Sequence, residues 1–244
     1  MNNLILITGS NGGIGSKLAE YLIKNGLRNI VCQYHRSNEN IKQILESNDF
    51  STQKHLFKAD LTNEEDVKNL NLNIQEKLET EVSSIINVAG GSTNCVSWKM
   101  KTEDFKNIVD MNLLSTFLSC REFIPGMRKN NYGRIINVSS VVAFTGVAGA
   151  SHYCAAKAGI VGFSKALSLE LINKNITVNT LALGYFNTGI IDEVPAKIQE
   201  VIKESIPVKR FGTTEEIGGL VKYLLSSEAN YATGQVHHLN GGLF

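Results

Sequence analysis

Seven short apolar runs rich in branched residues punctuate the chain, at positions 4–7, 30–34, 55–59, 82–89, 134–140, 176–183 and 235–239. Between them lie longer stretches whose apolar residues recur every three or four positions, at 14–25, 41–48, 63–78, 104–130, 153–173 and 214–226. The runs lack polar alternation, as strands buried on both faces do, and the stretches between them have the period of amphipathic helices. Strand, helix and strand in succession make a crossover unit. Repeated along the chain, that unit predicts an α/β fold with a mainly parallel sheet and helices on both faces. Thr62-Asn63-Glu64-Glu65 and Thr213-Thr214-Glu215-Glu216 read as capping boxes that open two of the helices. No Pro/Ser-rich linker or repeat divides the sequence, so residues 1–244 are read as a single domain.

Composition narrows the partners. Lys and Arg number 24 against 23 Asp and Glu, and a net charge of +1 does not suit a binder of nucleic-acid phosphates. No apolar run approaches the roughly 18 residues that span a bilayer, and residues 1–7 lack the basic flank of a secretory signal. No membrane role is expected, and the location expected is cytoplasmic. The scattered Cys32, Cys95, Cys120 and Cys154 have no metal-ligand spacing and read as reduced thiols, so no metal site is expected.

The first run leads into Thr8-Gly9-Ser10-Asn11-Gly12-Gly13-Ile14-Gly15 and then a helix. Glycines let the backbone turn sharply and approach a ligand, and a helix N-terminus offers unpaired N–H groups to a pyrophosphate. The second run ends Gln33-Tyr34-His35-Arg36-Ser37, where a dinucleotide-binding fold reads the adenosine ribose. An acid there would accept from both ribose hydroxyls of NAD(H). Arg36 and Ser37 are instead donors suited to a 2′-phosphate, so NADP(H) is favoured over NAD(H).

The segment from Ser140 to Lys157 carries the chemistry. Tyr153 and Lys157 are four apart at the start of a predicted helix and share a face. A nearby ammonium is expected to lower the phenol pKa from about 10 and make Tyr153 a usable general acid or base. Ser140, at a strand end, is placed to polarise a carbonyl oxygen.

With these residues in place, the sequence resembles the short-chain dehydrogenase/reductase family over essentially its whole length. The family's glycine turn matches Thr8 to Gly15, and its Asn-Asn-Ala-Gly stretch appears as Asn87-Val88-Ala89-Gly90 with the second Asn replaced. Its Asp after the third strand matches Asp60, followed by Leu61. Its catalytic set matches Asn112, Ser140, Tyr153 and Lys157. Its Pro-Gly-x-x-x-Thr element appears from Leu183 through Gly184 to Thr188, with Leu183 where the family usually has Pro.

The resemblance implies a doubly wound Rossmann-type sheet of order 3-2-1-4-5-6-7. It implies a cofactor site of Gly9, Ser10, Asn11, Gly13, Ile14, Gly15, Arg36, Ser37, Asp60, Leu61, Asn87, Ala89, Gly90, Tyr153, Lys157, Gly184 and Thr188. It further implies hydride transfer to a carbonyl held by Ser140 and protonated by Tyr153, with Lys157 and Asn112 relaying the proton, and an NAD(P)-dependent enzyme that assembles as a homotetramer.

Ligands of this fold bind beyond the carboxyl ends of the strands. The loops there carry Trp98, Phe144, Val147, Phe186, Ile190, Ile191 and Val194, which predict an apolar mouth for a ketone or alcohol substrate. Ser140, Phe144, Tyr153 and Phe186 are the expected substrate contacts. The segment at about 185–206 is expected to form a lid, with Gly184 and Gly189 as hinges. His152 reads as a loop histidine ahead of a substrate contact. The stretches 133–140 and 206–212 are most similar to 3-oxoacyl-(acyl-carrier-protein) reductases, which implies fatty acid biosynthesis as the setting and an acidic carrier protein as a partner. Arg128, Lys129 and Lys174 are the basic side chains available to meet it, while Asn131 stands where such reductases often have Arg. Sugar, polyol and secondary-metabolite ketoreductases share the motifs. An NAD(P)-sensing protein without turnover, or an interaction module, are the readings from other classes. The apolar load of 104–130 and 153–173, including Phe117, Leu118, Phe123, Phe163, Leu167, Leu169 and Leu171, predicts a helix-bundle interface between subunits.

Overall fold

The branched runs pair edge to edge into one seven-stranded parallel sheet in the order β3-β2-β1-β4-β5-β6-β7. The strands are β1 (Leu4–Thr8), β2 (Ile30–Tyr34), β3 (Leu56–Lys58), β4 (Val82–Asn87), β5 (Gly133–Ser140), β6 (Ile176–Leu183) and β7 (Val236–Leu239). This computed structural model describes residues 3–51 and 55–244, apart from the side chains of Ile190 and Glu193; Met1 and Asn2, part of the N-terminal segment read above, lie outside the described residues.

Successive strand residues face opposite sides. Ile7, Ile86 and Ile136 therefore join Leu18 and Leu22 of α1 (Gly13–Lys24) and Val221 of the last helix in one buried core. Their neighbours Leu6, Ile85 and Ile135 join Leu70 and Ile74 of α3 (Glu64–Leu78) and Phe123 in a second core on the other face. α2 (Glu39–Glu46) completes the first layer through Ile41 and Leu45.

The expected helix at 104–130 is interrupted. It runs as α4 (Thr102–Val109), one widened π turn (Asp110–Leu114) and α5 (Ser115–Lys129). The Ser115 N–H reaches back five residues to the Asp110 carbonyl, and the Asn112 side-chain amide donates to the Ile108 carbonyl at 2.9 Å. A π bulge of this kind re-aims one residue, here Asn112. Next come α6 (Val142–Thr145), α7 (Ser151–Leu171), α8 (Ala196–Ser205) and α9 (Thr214–Leu225). Neither α6 nor α8 was predicted, since both lie inside segments read as loops. The box at Thr213 and Glu216 forms as expected. The one at Thr62 does not: Asn63 caps α3 by accepting from the Glu65 and Asp66 N–H groups, and the Thr62 hydroxyl donates to Asp60. Among the described residues, no helix is long and apolar enough to cross a membrane.

Strand order reverses between β1 and β4, and their chains leave in opposite directions. That opens a crevice at their carboxyl ends. Two side chains hold it in shape. The Thr8 hydroxyl accepts the Val88 and Ala89 N–H groups at 3.1 and 3.2 Å, and the buried Gln33 amide accepts the Gly9 N–H at 2.9 Å while donating to the Ala59 carbonyl at 2.7 Å. Gln33→Leu would strand a buried donor and acceptor. It should lower stability by ~1–3 kcal/mol and the thermal midpoint by roughly 2–10 °C, as measured by calorimetry.

Candidate active site

The crevice is a cleft of about 1110 Å³, and glycine shapes its floor. Gly9 has φ +62°, and a Cβ there would lie 2.7 Å from the Ala89 Cα; a Cβ on Gly15 would lie 2.3 Å from the Gly9 carbonyl oxygen. Only glycines allow the β1–α1 turn to fold back on itself and present α1's N-terminus. That first turn carries no acidic side chain, so its N–H groups face the cleft without a competing negative charge. The chemistry of this cradle fits a pyrophosphate, and the cleft is long enough for a dinucleotide with a substrate beside it.

Most residues expected at the cofactor site line this one cleft: Gly9, Asn11, Gly13, Ile14, Gly15, Arg36, Ser37, Asp60, Leu61, Ala89, Gly90, Tyr153, Lys157, Gly184 and Thr188. Two do not. Ser10 is buried with its hydroxyl donating to the Gln33 carbonyl. Asn87 is buried and donates to Asn137 at 2.8 Å, and Asn137 donates on to Ser164 of α7 at 2.8 Å. Ser10 and Asn87 therefore brace the sheet beneath the site. At the adenosine end His35 Nε2 lies 3.6 Å from Asp60 Oδ2. Burial opposes charge on Asp60, but the Thr62 N–H and hydroxyl, with His35 and Arg36 nearby, hold its carboxyl below the usual range.

At the other end the strand-end Ser140 and the first turns of α7 converge. The Ser140 hydroxyl neighbours the Tyr153 phenol and favours its charged form, and Lys157 Nζ lies 5.6 Å from the Tyr153 ring centroid. The two side chains do share a helix face, as their spacing predicts. Lys157 is buried and donates to the Val138 carbonyl at 3.0 Å, while the Ser139 hydroxyl donates to the Lys157 carbonyl at 2.8 Å and fixes the helix on the strand. Asn112 reaches in from the π turn. Its amide donates to the Gly91 carbonyl at 2.9 Å and its buried Oδ1 has no protein partner. A Cβ on Gly90 would lie 2.4 Å from that oxygen and 3.4 Å from Lys157 Nζ, so both polar atoms flank one point beside Gly90.

The electrostatics differ from the expectation. Burial pushes the Tyr153 phenol up to about 12, with the Ser140 hydrogen bond opposing. Burial also brings the Lys157 ammonium down to about 8. Desolvation outweighs pairing because the ammonium spends its hydrogen bond on Val138 and sits against the ring.

The substrate end is apolar but rearranged. Phe186, Val147, Ile191 and Val194 line the cleft. Phe144 turns away from it: its ring stacks on Phe244 at 5.1 Å and meets His238 edge-on at 4.8 Å. Trp98 stands exposed outside the lining, and the Ile190 side chain lies outside the described ones. Gly184 is closely packed, and a Cβ there would lie 2.7 Å from the Asn240 Cα. His152 is on the first turn of α7 and fully buried, not in a loop. Sequence reasoning missed Gln33, Val88, Gly91, Ser92, Asn94 and Tyr185, which also line the cleft. For Gln33 there was a signal, a lone amide in an otherwise apolar strand.

The depressed Lys157 has a measurable consequence. Between pH 8 and its usual value near 10.5 the unfolded chain holds a proton that the folded chain has released, so raising pH favours folding over that window. Urea titrations should show wild type gaining roughly 1–3 kcal/mol relative to Lys157→Met between those pH values, with no relative change below pH 7.

The family model for short chain dehydrogenase matches residues 3–199. Nodulation protein G of Rhizobium sp. (strain N33) is 38% identical over 238 residues, covering 98% of this chain and 95% of its own. The 3-oxoacyl-(acyl-carrier-protein) reductase of Rickettsia felis is 37% identical over 238 residues with the same coverage, and that of Aquifex aeolicus 35% identical over 241 residues, covering 98% of this chain and 96% of its own. A parallel sheet with a glycine-floored crevice, a Ser-Tyr-Lys convergence at its far end and relatives matched over almost their full length lead to one conclusion: the chain belongs to the short-chain dehydrogenase family and is an NAD(P)-dependent oxidoreductase.

Proposed function

We propose that this enzyme reduces a ketone to a secondary alcohol with NADPH, on a 3-oxoacyl thioester such as an acyl-carrier-protein conjugate. The observation that carries the reading is the convergence of Ser140, Tyr153 and Lys157 at the end of an apolar-walled cleft. The Tyr153 phenol, protonated at neutral pH, is in the form that a general acid for ketone reduction starts from. The named reductases among the relatives support the thioester over a sugar or polyol, as do Phe186, Ile191 and Val194.

The residues divide the work by position. The N–H groups of the Gly9–Gly15 turn hold the pyrophosphate, and Arg36 and Ser37 hold an adenosine 2′-phosphate where no carboxylate ends β2. When bound, the nicotinamide supplies the hydride. The Ser140 hydroxyl orients the carbonyl oxygen, and Tyr153 Oη gives that oxygen its proton as negative charge develops. The Lys157 ammonium, charged below pH 8, steadies the phenolate left behind. Asn112 Oδ1, flanking the same point as Lys157 Nζ, orients a water that returns the proton. The strap at 185–206, carrying α8, serves as the lid: a Cβ on Gly13 would lie 2.5 Å from the Gly189 nitrogen, so the strap already rests on the glycine turn.

A homotetramer belongs to the same proposal. Leu118, Phe123, Leu167 and Leu171 are consumed by the core, and Phe117 and Leu169 remain exposed on α5 and α7 for a subunit contact. Arg128, Lys129 and Lys174 stand just ahead of the amino ends of β5 and β6, the opposite end of the sheet from the cleft, and Lys129 pairs with Glu81 at 3.1 Å.

A panel of carbonyl compounds that includes acetoacetyl thioesters, followed by loss of NADPH absorbance, tests the reading. Turnover of an acetoacetyl thioester is expected, and Tyr153→Phe should lower kcat by roughly 10²–10⁴-fold with NADPH affinity unchanged. Near wild-type turnover in that variant would sink the mechanism. Arg36→Ala should lower kcat/KM for NADPH by about 10–100-fold and leave NADH unaffected, and equal losses with both cofactors would refute the 2′-phosphate assignment.

A further inference from the structure

The loop after β4 lines the cleft continuously from Val88 to Ser92 and alternates only beyond that point. Ser92 and Asn94 line the cavity, whereas the residues alternating with them turn back onto the N-terminal end of α7. Three ties make that return. The Thr93 hydroxyl meets His152 Nε2 at 3.1 Å, the Cys95 N–H donates to the Gly149 carbonyl at 2.7 Å, and the Ser97 hydroxyl meets the Ser151 hydroxyl at 2.8 Å. The first of these stands apart. Ser97 and Ser151 are both exposed, so water competes with their bond, whereas the exposed Thr93 bonds a ring that is buried. His152 is fully buried, its Nδ1 has no partner, and the bond to Thr93 is the one hydrogen bond of its ring. A buried imidazole with a single tie loses much if that tie is broken. It is also the residue immediately before Tyr153, so the same turn of helix that aims the phenol anchors the opposite wall of the cavity.

We propose that His152 is a positioning residue: through Thr93 it clips the 91–97 loop to the N-terminus of α7, and so sets the substrate wall formed by Ser92 and Asn94 at a fixed distance from the Tyr153 hydroxyl. The proposal rests on the reading that the ketone occupies this end of the cleft. The adenosine and pyrophosphate end is untouched by the clip, because the glycine turn and the β2–α2 loop reach the cavity from other strands, and Ala89 and Gly90 are held ahead of the loop by the Thr8 hydroxyl on the Ala89 N–H. Releasing the clip therefore loosens the wall against the substrate and leaves dinucleotide binding alone.

The test uses the intact enzyme and four variants: His152→Leu, His152→Gln, Thr93→Val and the Leu/Val double variant. Kinetics with an acetoacetyl thioester and NADPH should show KM for the thioester rising about tenfold in His152→Leu and Thr93→Val, with kcat and the NADPH KM near wild type. The double variant should be no worse than either single one, because both remove the same bond. His152→Gln, whose amide reaches the position of Nε2, should restore most of the lost KM. A second readout does not depend on turnover. Trp98 is the chain's only tryptophan and lies on this loop, so its fluorescence anisotropy reports loop mobility directly. It should fall in the Leu and Val variants and recover in His152→Gln. Unchanged anisotropy and unchanged thioester KM in Thr93→Val would overturn the clip, as would additive losses or a parallel rise in the NADPH KM. If wild type reduced no thioester, the reading of the substrate would fail, and the anisotropy series would still decide the clip by itself.

Discussion

Every functional group in this protein is placed by the separation of β1 and β4 at their carboxyl ends. A parallel sheet whose order reverses must open there, because the connecting helices leave toward opposite faces. β1 and β4 stay paired as far as Thr8 and Asn87, but the two exits beyond them diverge, and backbone N–H groups there would be left without partners, which is expensive. The chain closes that account locally. Thr8 takes two N–H groups of the β4 exit, Gln33 takes one from the glycine turn, and the bare Cα atoms of Gly9 and Gly15 let the turn lie against Ala89 and against itself. The result is a rigid rim whose remaining free donors, those of the α1 N-terminus, point into the cleft.

The chemical end is governed by burial more than by pairing. Placing a phenol and an ammonium together in a low-dielectric pocket drives both toward their neutral forms: Tyr153 goes up to about 12 and Lys157 down to about 8. A phenol placed in this way stays protonated across the neutral range, and the ammonium beside it keeps its charge only below about pH 8. The neutral phenol and the polarising serine are held on different elements, α7 and β5, locked by the Ser139 hydroxyl on the Lys157 carbonyl and by the Asn87, Asn137 and Ser164 amide chain. Polar side chains whose hydrogen bonds lie behind the cleft thus set its geometry.

The substrate wall depends on a different set of contacts. Phe144 is drawn out of the cleft by Phe244 and His238, rings that lie more than ninety positions away in sequence. Its absence leaves the wall to Phe186, Val147, Ser92 and Asn94, and the loop that carries the last two is tied to α7 through Thr93 and His152.

Read alone, the sequence settled the strand and helix alternation, the parallel sheet, the glycine turn and the Ser140, Tyr153 and Lys157 constellation. Each of these follows from local spacing: a period of two or of 3.6, a run of glycines after a strand, four residues along a helix. What it left open depends on neighbours remote in the chain. The π turn at Asn112 arises where a side-chain amide takes the Ile108 carbonyl and a backbone carbonyl of the β4 loop together. Ser10 and Asn87 sit inside matched motifs, yet they face Gln33 and Asn137 and not the cleft. The direction of the Tyr153 shift could not be read from its distance to Lys157 along the helix, because spacing records which charges are near and says nothing of how much water has been removed from around them. Desolvation is a property of the assembled fold, and here it decides the state of the catalytic proton.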